Sequence, residues 1–328
     1  MRDIMQPKID FAVGGQAVIE GVMMRSPNFV AVAVRKPNGT LKVKTEPFRS
    51  LASVIPVFKL PILRGMLGIF EMLIYGTKAL NFSAKENLEE SHPVSKGKVV
   101  SKNPVGNTSK HSRFFEDFFL FFTIILSLVL GIFLFKFLPL ALTEVLSNYF
   151  PLIASRFWIF NIVDGVIKTS FFILYVGLIG LLPDIKRVFE YHGAEHKSVF
   201  NYEADLPLEI KNAKKQSRFH PRCGTSFILV VFLISIFIYT LMPNHPVFYI
   251  KFLQRIAILP VIAGVSYEFL KLSARYVNKT WVKILISPGL MFQKMTTREP
   301  DESQLEVALF ALKAVLELEK EPLKNHVA

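Results

Sequence analysis

The stretch "TSFILVVFLISIFIYTLM", residues 225–242, decides the fold class because it runs its whole length without a charged side chain. A helix needs about 20 mainly apolar residues to cross the hydrocarbon core of a bilayer. Backbone amides in lipid must find partners within their own segment, so a helix is the expected form. The stretch therefore predicts a transmembrane helix.

Three further stretches have the length and apolar character of a membrane span: residues 114–142, 157–182 and 247–272. The second contains Asp164 and Lys168, and the last contains Lys251, Arg255 and Glu268, so these two are less apolar. Together with a mean hydropathy of +0.38, they predict a mainly α, polytopic membrane protein with about four transmembrane helices.

A fifth apolar stretch, residues 51–82, is expected to behave differently. Arg64 and Glu71 lie in its middle, and Pro56 and Pro61 interrupt its start. A charge at the centre of a span costs about 3 kcal/mol on insertion scales. We therefore predict a helix that lies at the membrane interface, with a re-entrant hairpin as the alternative.

The distribution of basic residues predicts the orientation. Residues 1–113 hold 17 lysines and arginines, residues 183–224 hold eight, and the tail from Lys271 holds nine. The positive-inside rule makes these regions cytoplasmic, which predicts a multi-pass protein of the cell (plasma) membrane with both termini cytoplasmic. Topology and membrane lipid as partner account for the net charge of +13, so we expect no nucleic-acid partner. The sequence does not indicate an oligomeric state.

The parts outside the spans divide into smaller regions. Residues 1–50 are expected to form a β-rich cytoplasmic region, because residues 29–48 alternate in polarity on both sides of "PNG", which is typical of a β-hairpin. Residues 83–113 are rich in Pro, Gly, Ser and Lys and are predicted to be a flexible polar linker. Residues 114–272 form the predicted four-helix transmembrane region.

The C-terminal region, residues 273–328, is expected to be cytoplasmic and helical. Pro300 and the acidic residues after it are helix-start signals. Four leucines then recur at helical spacing: Leu305, Leu309, Leu312 and Leu316. This face is expected to pack against the rest of the protein.

The cytoplasmic connection 183–224 carries the most specific motif, "EYHGAEHKSVFNYE" at residues 190–203. On a helix that begins near Pro183, the side chains of His192, Glu195 and His196 share one face with apolar residues. The order His-x-x-Glu-His is the inverted zincin arrangement, in which two imidazoles hold a metal and the glutamate serves as base. A polar helix that leaves the membrane is the simpler alternative.

A zinc site needs a third protein ligand, and the sequence offers three candidates on the same side of the membrane. His220 and Cys223 lie in "RFHPRCGTS", just before the third span, and Glu268 lies near the cytoplasmic end of the fourth. Glu268 can instead form an ion pair with a basic residue: Lys271, Arg275 or Arg255. Cys223 can be a ligand, an inert buried thiol, or a nucleophile with His220 as its base.

Four motifs in this order resemble the YqhQ-like family of bacterial membrane proteins: "VGGQAVIEGVMMRSP", "EYHGAEHKS", "HPRCGTSF" and "SPGLMFQKMTTREPDESQLEVA". The resemblance implies a metal-dependent enzyme and indicates no substrate. On sequence logic alone the glycine motif predicts a strand and a turn. As part of a family signature, it implies that Gln16, Glu20 and Arg25 line the site.

These expectations combine into one hypothesis. Zinc or another divalent metal is held by His192 and His196 with one of the three candidate ligands. Glu195 acts as the base, with Glu20 beside it, and Arg222 or Arg25 holds an anionic group or a developing oxyanion. The protein would then be a metal-dependent hydrolase of a peptide or lipid-linked substrate.

Two other functions fit the sequence. One is a non-catalytic membrane scaffold, lipid-handling or transport component with a structural metal or polar cluster. In that case Asp164 and Lys168 would matter more, as a buried ion pair or part of a polar path. The other is a cysteine-dependent membrane enzyme that uses Cys223.

Overall fold

A computed structural model describes residues 13–91, 122–123, 125–243, 245–276 and 279–320. The chain forms two compact units. The first contains the described residues of 1–92, 175–234 and 260–328, and the second contains those of 93–174 and 235–259.

The first unit begins with an antiparallel sheet in the order β1-β2-β3-β4. Its strands are β1 (Gly14–Val18), β2 (Gly21–Arg25), β3 (Phe29–Arg35) and β4 (Leu41–Pro47). The predicted hairpin is confirmed as β3–β4, whose turn places Gly39 at a φ of 85°. The glycine motif forms β1–β2, with Glu20 in the left-handed region at the turn.

Twelve α-helices follow in the described part of the chain. In order they are α1 (Leu51–Val54), α2 (Leu63–Ser91), α3 (Ile125–Tyr149), α4 (Pro151–Ser155), α5 (Phe157–Ile179), α6 (Pro183–Glu203), α7 (Ile210–Lys214), α8 (Gly224–Leu241), α9 (Phe248–Ala257), α10 (Leu259–Arg275), α11 (Thr280–Thr296) and α12 (Glu302–Lys320). A 3₁₀ turn spans Pro56–Lys59, and α3 contains a π-helical segment at Phe133–Phe137.

The core of the first unit lies between the sheet, α6 and α12. Helix α12 packs on β2, β3 and α6, and α6 packs on β1 and β2. Leu305, Leu309 and Leu312 are buried there, and Leu316 packs against them. The predicted packing face of the C-terminal helix is therefore confirmed.

The segment from residue 51 differs from the prediction at both ends. It begins with α1, whose first turn is capped by Glu71, because that carboxylate accepts hydrogen bonds from Ser50 Oγ and the Leu51 amide. Helix α2 continues to Ser91, so residues 83–91 are helical and not part of a linker. Residues 92–113 lie outside the described residues, and the interfacial position of α2 stays a prediction.

Three helices among the described residues are long and apolar enough to cross a membrane: α3, α5 and α8. The fourth predicted span is two helices, α9 and α10, bent by 43° at a short break. Pro260 follows this break and cannot supply the amide that a continuous helix needs. The described residues thus contain three helices able to cross a membrane, or up to four if the bent pair is one span. The start of the first predicted span, residues 114–121, lies outside the described residues.

Candidate metal centre

Helix α6 carries the histidine motif, and its second half is largely buried. It begins at Pro183 with Asp184 in its first turn, as the sequence predicts. From Tyr191 to Asn201 nearly every residue is buried. The glycine of the motif, Gly193, is required by packing, because a Cβ atom there would overlap the carbonyl oxygen of Arg298.

The histidines of α6 meet the cysteine before α8. The ligand atoms of His192, His196 and Cys223 all lie within 4.8 Å of one another, the one such group of His, Cys, Asp or Glu among the described residues. His192 Nε2 is 3.2 Å from Cys223 Sγ. Cys223 and His196 are buried, and His192 is half-buried. The structure therefore joins three of the five predicted ligands.

Backbone carbonyls orient both imidazole rings. His192 Nδ1 lies 2.8 Å from the carbonyl oxygen of Thr296, and His196 Nδ1 lies 2.5 Å from that of Arg218. A carbonyl oxygen only accepts, so each Nδ1 carries the hydrogen and donates it. Each Nε2 then has a free lone pair, which is the arrangement that metal-binding histidines have in proteins.

Glu195 completes the group from the same helix. Its Oε2 is 3.5 Å from His196 Nε2, and its side chain is buried. Burial raises the pKa of Glu195, although nearby positive charge and a hydrogen bond from the Gly15 amide oppose the shift. A Cβ atom at Gly15 would lie 2.8 Å from Glu195 Cγ. The glycine motif therefore reaches the site through its backbone.

The loop that carries Cys223 is held by one glutamine. Gln293 Oε1 accepts from the His220 amide at 2.8 Å, and its Nε2 donates to the His220 carbonyl and to Ser226 Oγ, both at 2.7 Å. Gln293 is fully buried. This side chain from the C-terminal motif fixes the position of the "HPRCGTS" motif.

His220 lies beside the group without joining it. The Arg222 amide donates to His220 Nδ1 at 3.2 Å, and His220 Nε2 lies 3.4 Å from a carboxylate oxygen of Glu203. Both ring nitrogens therefore have protein partners. Burial lowers the pKa of His220 to about 4, which keeps the ring neutral. Its position suits a support for the loop rather than a metal ligand.

Glu268, the remaining ligand candidate, lies apart from the His–Cys group. Both oxygens of its carboxylate accept hydrogen bonds from Arg64, at 2.6 Å from Nε and 2.5 Å from Nη2. Glu268 thus forms an ion pair, which was the alternative to metal binding. The partner is an arginine 204 residues away, not one of the nearby basic residues.

The two charged candidates of the glycine motif also have structural partners. Glu20 binds Arg187 and accepts a hydrogen bond from Tyr191 at 3.3 Å, so it braces the first half of α6. Arg25 lies 3.8 Å over the ring of Phe48 and donates to Met72 Sδ. The implied roles of these side chains as site-lining residues are therefore not supported by their contacts. Gln16 points to Gly76 on α2.

Sequence reasoning missed the backbone contribution to the site. The carbonyls of Thr296 and Arg218 and the amide of Gly15 are backbone groups, so no residue type in the sequence indicates them. Only Gly15 and Gly193, where another group comes close to the backbone, could have pointed to these contacts. Arg222 lies next to Cys223, is paired with Glu203, and interacts electrostatically with Glu195. Its role in holding an anionic group stays a prediction.

Comparison with known proteins shows the family of the chain. Residues 60–318 match the family described as "Protein of unknown function (DUF1385)". The chain belongs to this family. It is 34% identical over 323 residues to "Uncharacterized protein YqhQ" of Bacillus subtilis (strain 168), which covers 95% of this chain and 94% of the relative. The resemblance inferred from the four motifs is thus confirmed. No solved structure matches the chain.

Proposed function

We propose that His192, His196 and Cys223 hold a divalent metal ion, most naturally zinc, and that the protein is a metal-dependent hydrolase. The supporting observation is the convergence of their three ligand atoms within 4.8 Å, with both Nδ1 atoms already committed to carbonyl oxygens. Two imidazoles and a thiolate suit zinc, and catalytic zinc sites use three protein ligands and keep one position open.

The chemistry follows from the donor set and from Glu195. A bound zinc ion supplies a Lewis acid that brings the pKa of a coordinated water towards neutral. Glu195 is the base in this proposal, because its Oε2 lies beside the ligand atom of His196. Arg222 is the nearest candidate to hold an anionic group of the substrate.

The substrate class follows from the place of the site on the chain. Cys223 directly precedes α8, a helix apolar enough to span a membrane, so the site belongs to the end of a span. Because the flanking connection is basic, we assign it to the cytoplasmic surface of the plasma membrane. A peptide or a lipid-linked ester at that surface is the proposed substrate.

A second function is favoured by one distance. Cys223 Sγ lies 3.2 Å from His192 Nε2, and the Thr225 amide and hydroxyl lie 3.4 and 3.1 Å from the same sulfur. A thiol beside an oriented imidazole at a helix start is also the arrangement of a cysteine nucleophile. The base would then be His192, not His220 as the sequence suggested.

Metal analysis of the purified full-length protein tests the first proposal. We expect about one zinc ion per chain, on the three-ligand argument, and loss of that metal in His192→Ala and Cys223→Ala. His245→Ala, a histidine outside the group, should keep it. A natively folded protein that takes up none of zinc, manganese or iron would overturn the proposal. In that case, inactivation by a thiol-alkylating reagent would establish the cysteine function.

Catalysis is tested separately with Glu195→Gln. In the proposed hydrolase this variant keeps the metal, and cells that carry it accumulate the same lipid or peptide as cells that lack the protein. If such cells resemble the wild type, the metal is structural and the hydrolase assignment is wrong.

A further inference from the structure

The second unit contains a cluster of polar side chains inside its apolar helices. We call it the intramembrane cluster; its members are Lys136, Asn161, Asp164, Lys168, Tyr239 and Arg255. Asp164 Oδ2 accepts from Lys168 Nζ at 3.0 Å and from Arg255 Nη1 at 2.5 Å. Arg255 Nη2 donates to Asn161 Oδ1 at 2.5 Å. Polar residues at such positions are costly and serve as functional candidates.

The cluster carries more positive than negative charge. Lys136 Nζ, Lys168 Nζ and Arg255 Cζ lie 5.9, 5.1 and 4.6 Å from the ring centroid of Tyr239. Asp164 is the one carboxylate among the six members. The neighbouring pair of Lys251 and Glu144, 2.7 Å apart, adds no net charge. Unbalanced charge in a low-dielectric interior is unfavourable, so the cluster needs an anion or must lose protons.

Two of its buried atoms lack a hydrogen-bond partner. Asn161 Nδ2, a donor, and Asp164 Oδ1, an acceptor, are both unpaired, and their residues are 0% and 1% exposed. An unpaired buried polar atom costs about 1–3 kcal/mol. A ligand that offers an acceptor oxygen and a donor such as a hydroxyl group would satisfy both atoms.

The backbone is irregular where the cationic side chains enter. Lys136 lies in the π-helical segment Phe133–Phe137, and such segments occur frequently at functional sites. Arg255 lies in the last turn of α9, just before the 43° bend to α10. Interrupted helices line ligand sites in membrane transporters.

We propose that the intramembrane cluster binds one phosphate-bearing anion that also carries a hydroxyl group. Hydrogen phosphate and the headgroup of a glycerol phospholipid such as phosphatidylglycerol share this chemistry. The phosphate oxygens accept from Lys136, Arg255 and Asn161 Nδ2, and the hydroxyl donates to Asp164 Oδ1. This site involves none of the residues of the candidate metal centre and does not depend on the proposed function.

Binding is measured on the full-length protein in a phosphorus-free detergent. One arm adds hydrogen phosphate, a second reconstitutes the protein with phosphatidylglycerol, and a third uses phosphatidylcholine, which is zwitterionic and has no headgroup hydroxyl. The first or second arm should raise the thermal unfolding midpoint by a few degrees over the third. A response to hydrogen phosphate identifies a small-anion site, and a response to phosphatidylglycerol alone identifies a lipid site.

Two variants tie the response to the cluster. Asn161→Asp keeps the acceptor for Arg255, balances one excess charge and removes the unpaired donor, so it should fold and lose the response. Lys136→Met should lose it as well, whereas the exposed Lys283→Met should retain it. No response from wild-type protein would overturn the proposal. So would an unchanged response in both cluster variants, or a Lys136→Met protein that gains stability with ligand binding intact.

Discussion

At the scale of single residues, the two adjacent glycines of β1 differ in how closely other atoms approach them. A Cβ atom at Gly15 would lie 2.5 Å from the Met23 carbonyl oxygen and 2.8 Å from Glu195 Cγ, whereas at Gly14 nothing lies within 4 Å. Gly15 is therefore a contact between the sheet and the catalytic candidate on α6. Gly14 has no such constraint.

This difference predicts the effects of two alanine substitutions. Gly15→Ala forces the strand or Glu195 to move and should cost about 1–3 kcal/mol of unfolding free energy. Gly14→Ala should change it by less than about 0.5 kcal/mol. Thermal unfolding of both variants in the same detergent measures the difference. Equal midpoints would show that the glycine motif does not press on Glu195.

Gln293 gives a second prediction at this scale. Gln293→Leu keeps the volume but leaves the buried His220 amide and carbonyl without their partner, at about 1–3 kcal/mol for each unpaired group. Because the same loop holds Cys223, metal affinity should fall roughly 10–100-fold, as for other supporting contacts. Competition with a zinc chelator measures it. Gln216→Leu is the control, since its Nε2 makes a hydrogen bond of 3.4 Å to the Asn212 carbonyl on a short helix; a similar loss there would contradict the assigned role.

At the scale of elements, α6 and the segment after α11 meet at Gly193. The Arg298 amide donates to the Phe189 carbonyl at 2.8 Å, and the Arg298 carbonyl passes over Gly193. Thr296, the last residue of α11, supplies the carbonyl that orients His192. The approach of this backbone to α6 therefore fixes one ligand of the candidate metal centre.

Replacement of a glycine by alanine should consequently have opposite effects on stability in α2 and in α6. Gly68 in α2 has nothing within 4 Å of its absent Cβ, so Gly68→Ala should stabilise the protein by up to about 1 kcal/mol through helix propensity. Gly193→Ala gains the same propensity but displaces backbone, and should destabilise the protein and lower its zinc content. A stable, metal-replete Gly193→Ala protein would show that the close approach is not needed.

What the sequence predicted at this scale depended on local patterns. The spacing of His192 and His196 and the leucines of α12 were readable because a helical face needs no knowledge of its partner. The choice among third ligands was not, since His220 and Cys223 lie three residues apart and their roles depend on Gln293 and Glu203. Glu268 was misplaced for the same reason: its partner, Arg64, is far away in sequence.

At the scale of the whole molecule, the contacts within the first unit constrain the topology. Helix α12 packs on β2 and β3, and α6 packs on β1 and β2. We therefore expect the sheet, α6 and α12 to lie on the same side of a membrane that the apolar helices cross. Between α6 and α12 the chain passes through α8 and then the bent pair α9 and α10. We therefore predict that the bent pair crosses as one span, which would make four crossings among the described residues.

Single cysteines in a Cys223→Ser chain test this topology. Lys44→Cys, Lys211→Cys and Lys313→Cys lie on exposed positions of β4, α7 and α12, and a membrane-impermeant maleimide should label them only after permeabilisation. Tyr149→Cys, at the 76% exposed end of α3, should be labelled in intact cells because one span separates it from the basic side. Labelling of Lys313→Cys on the outside would mean that α9 and α10 form a re-entrant loop, and labelling of Lys44→Cys there would separate the sheet from α6. External labelling of Lys44→Cys would also remove the Gly15–Glu195 contact from the proposed site, and external labelling of Lys313→Cys would contradict the packing of α12 on α6. The test of topology is thus at the same time a test of the surroundings of the candidate metal centre.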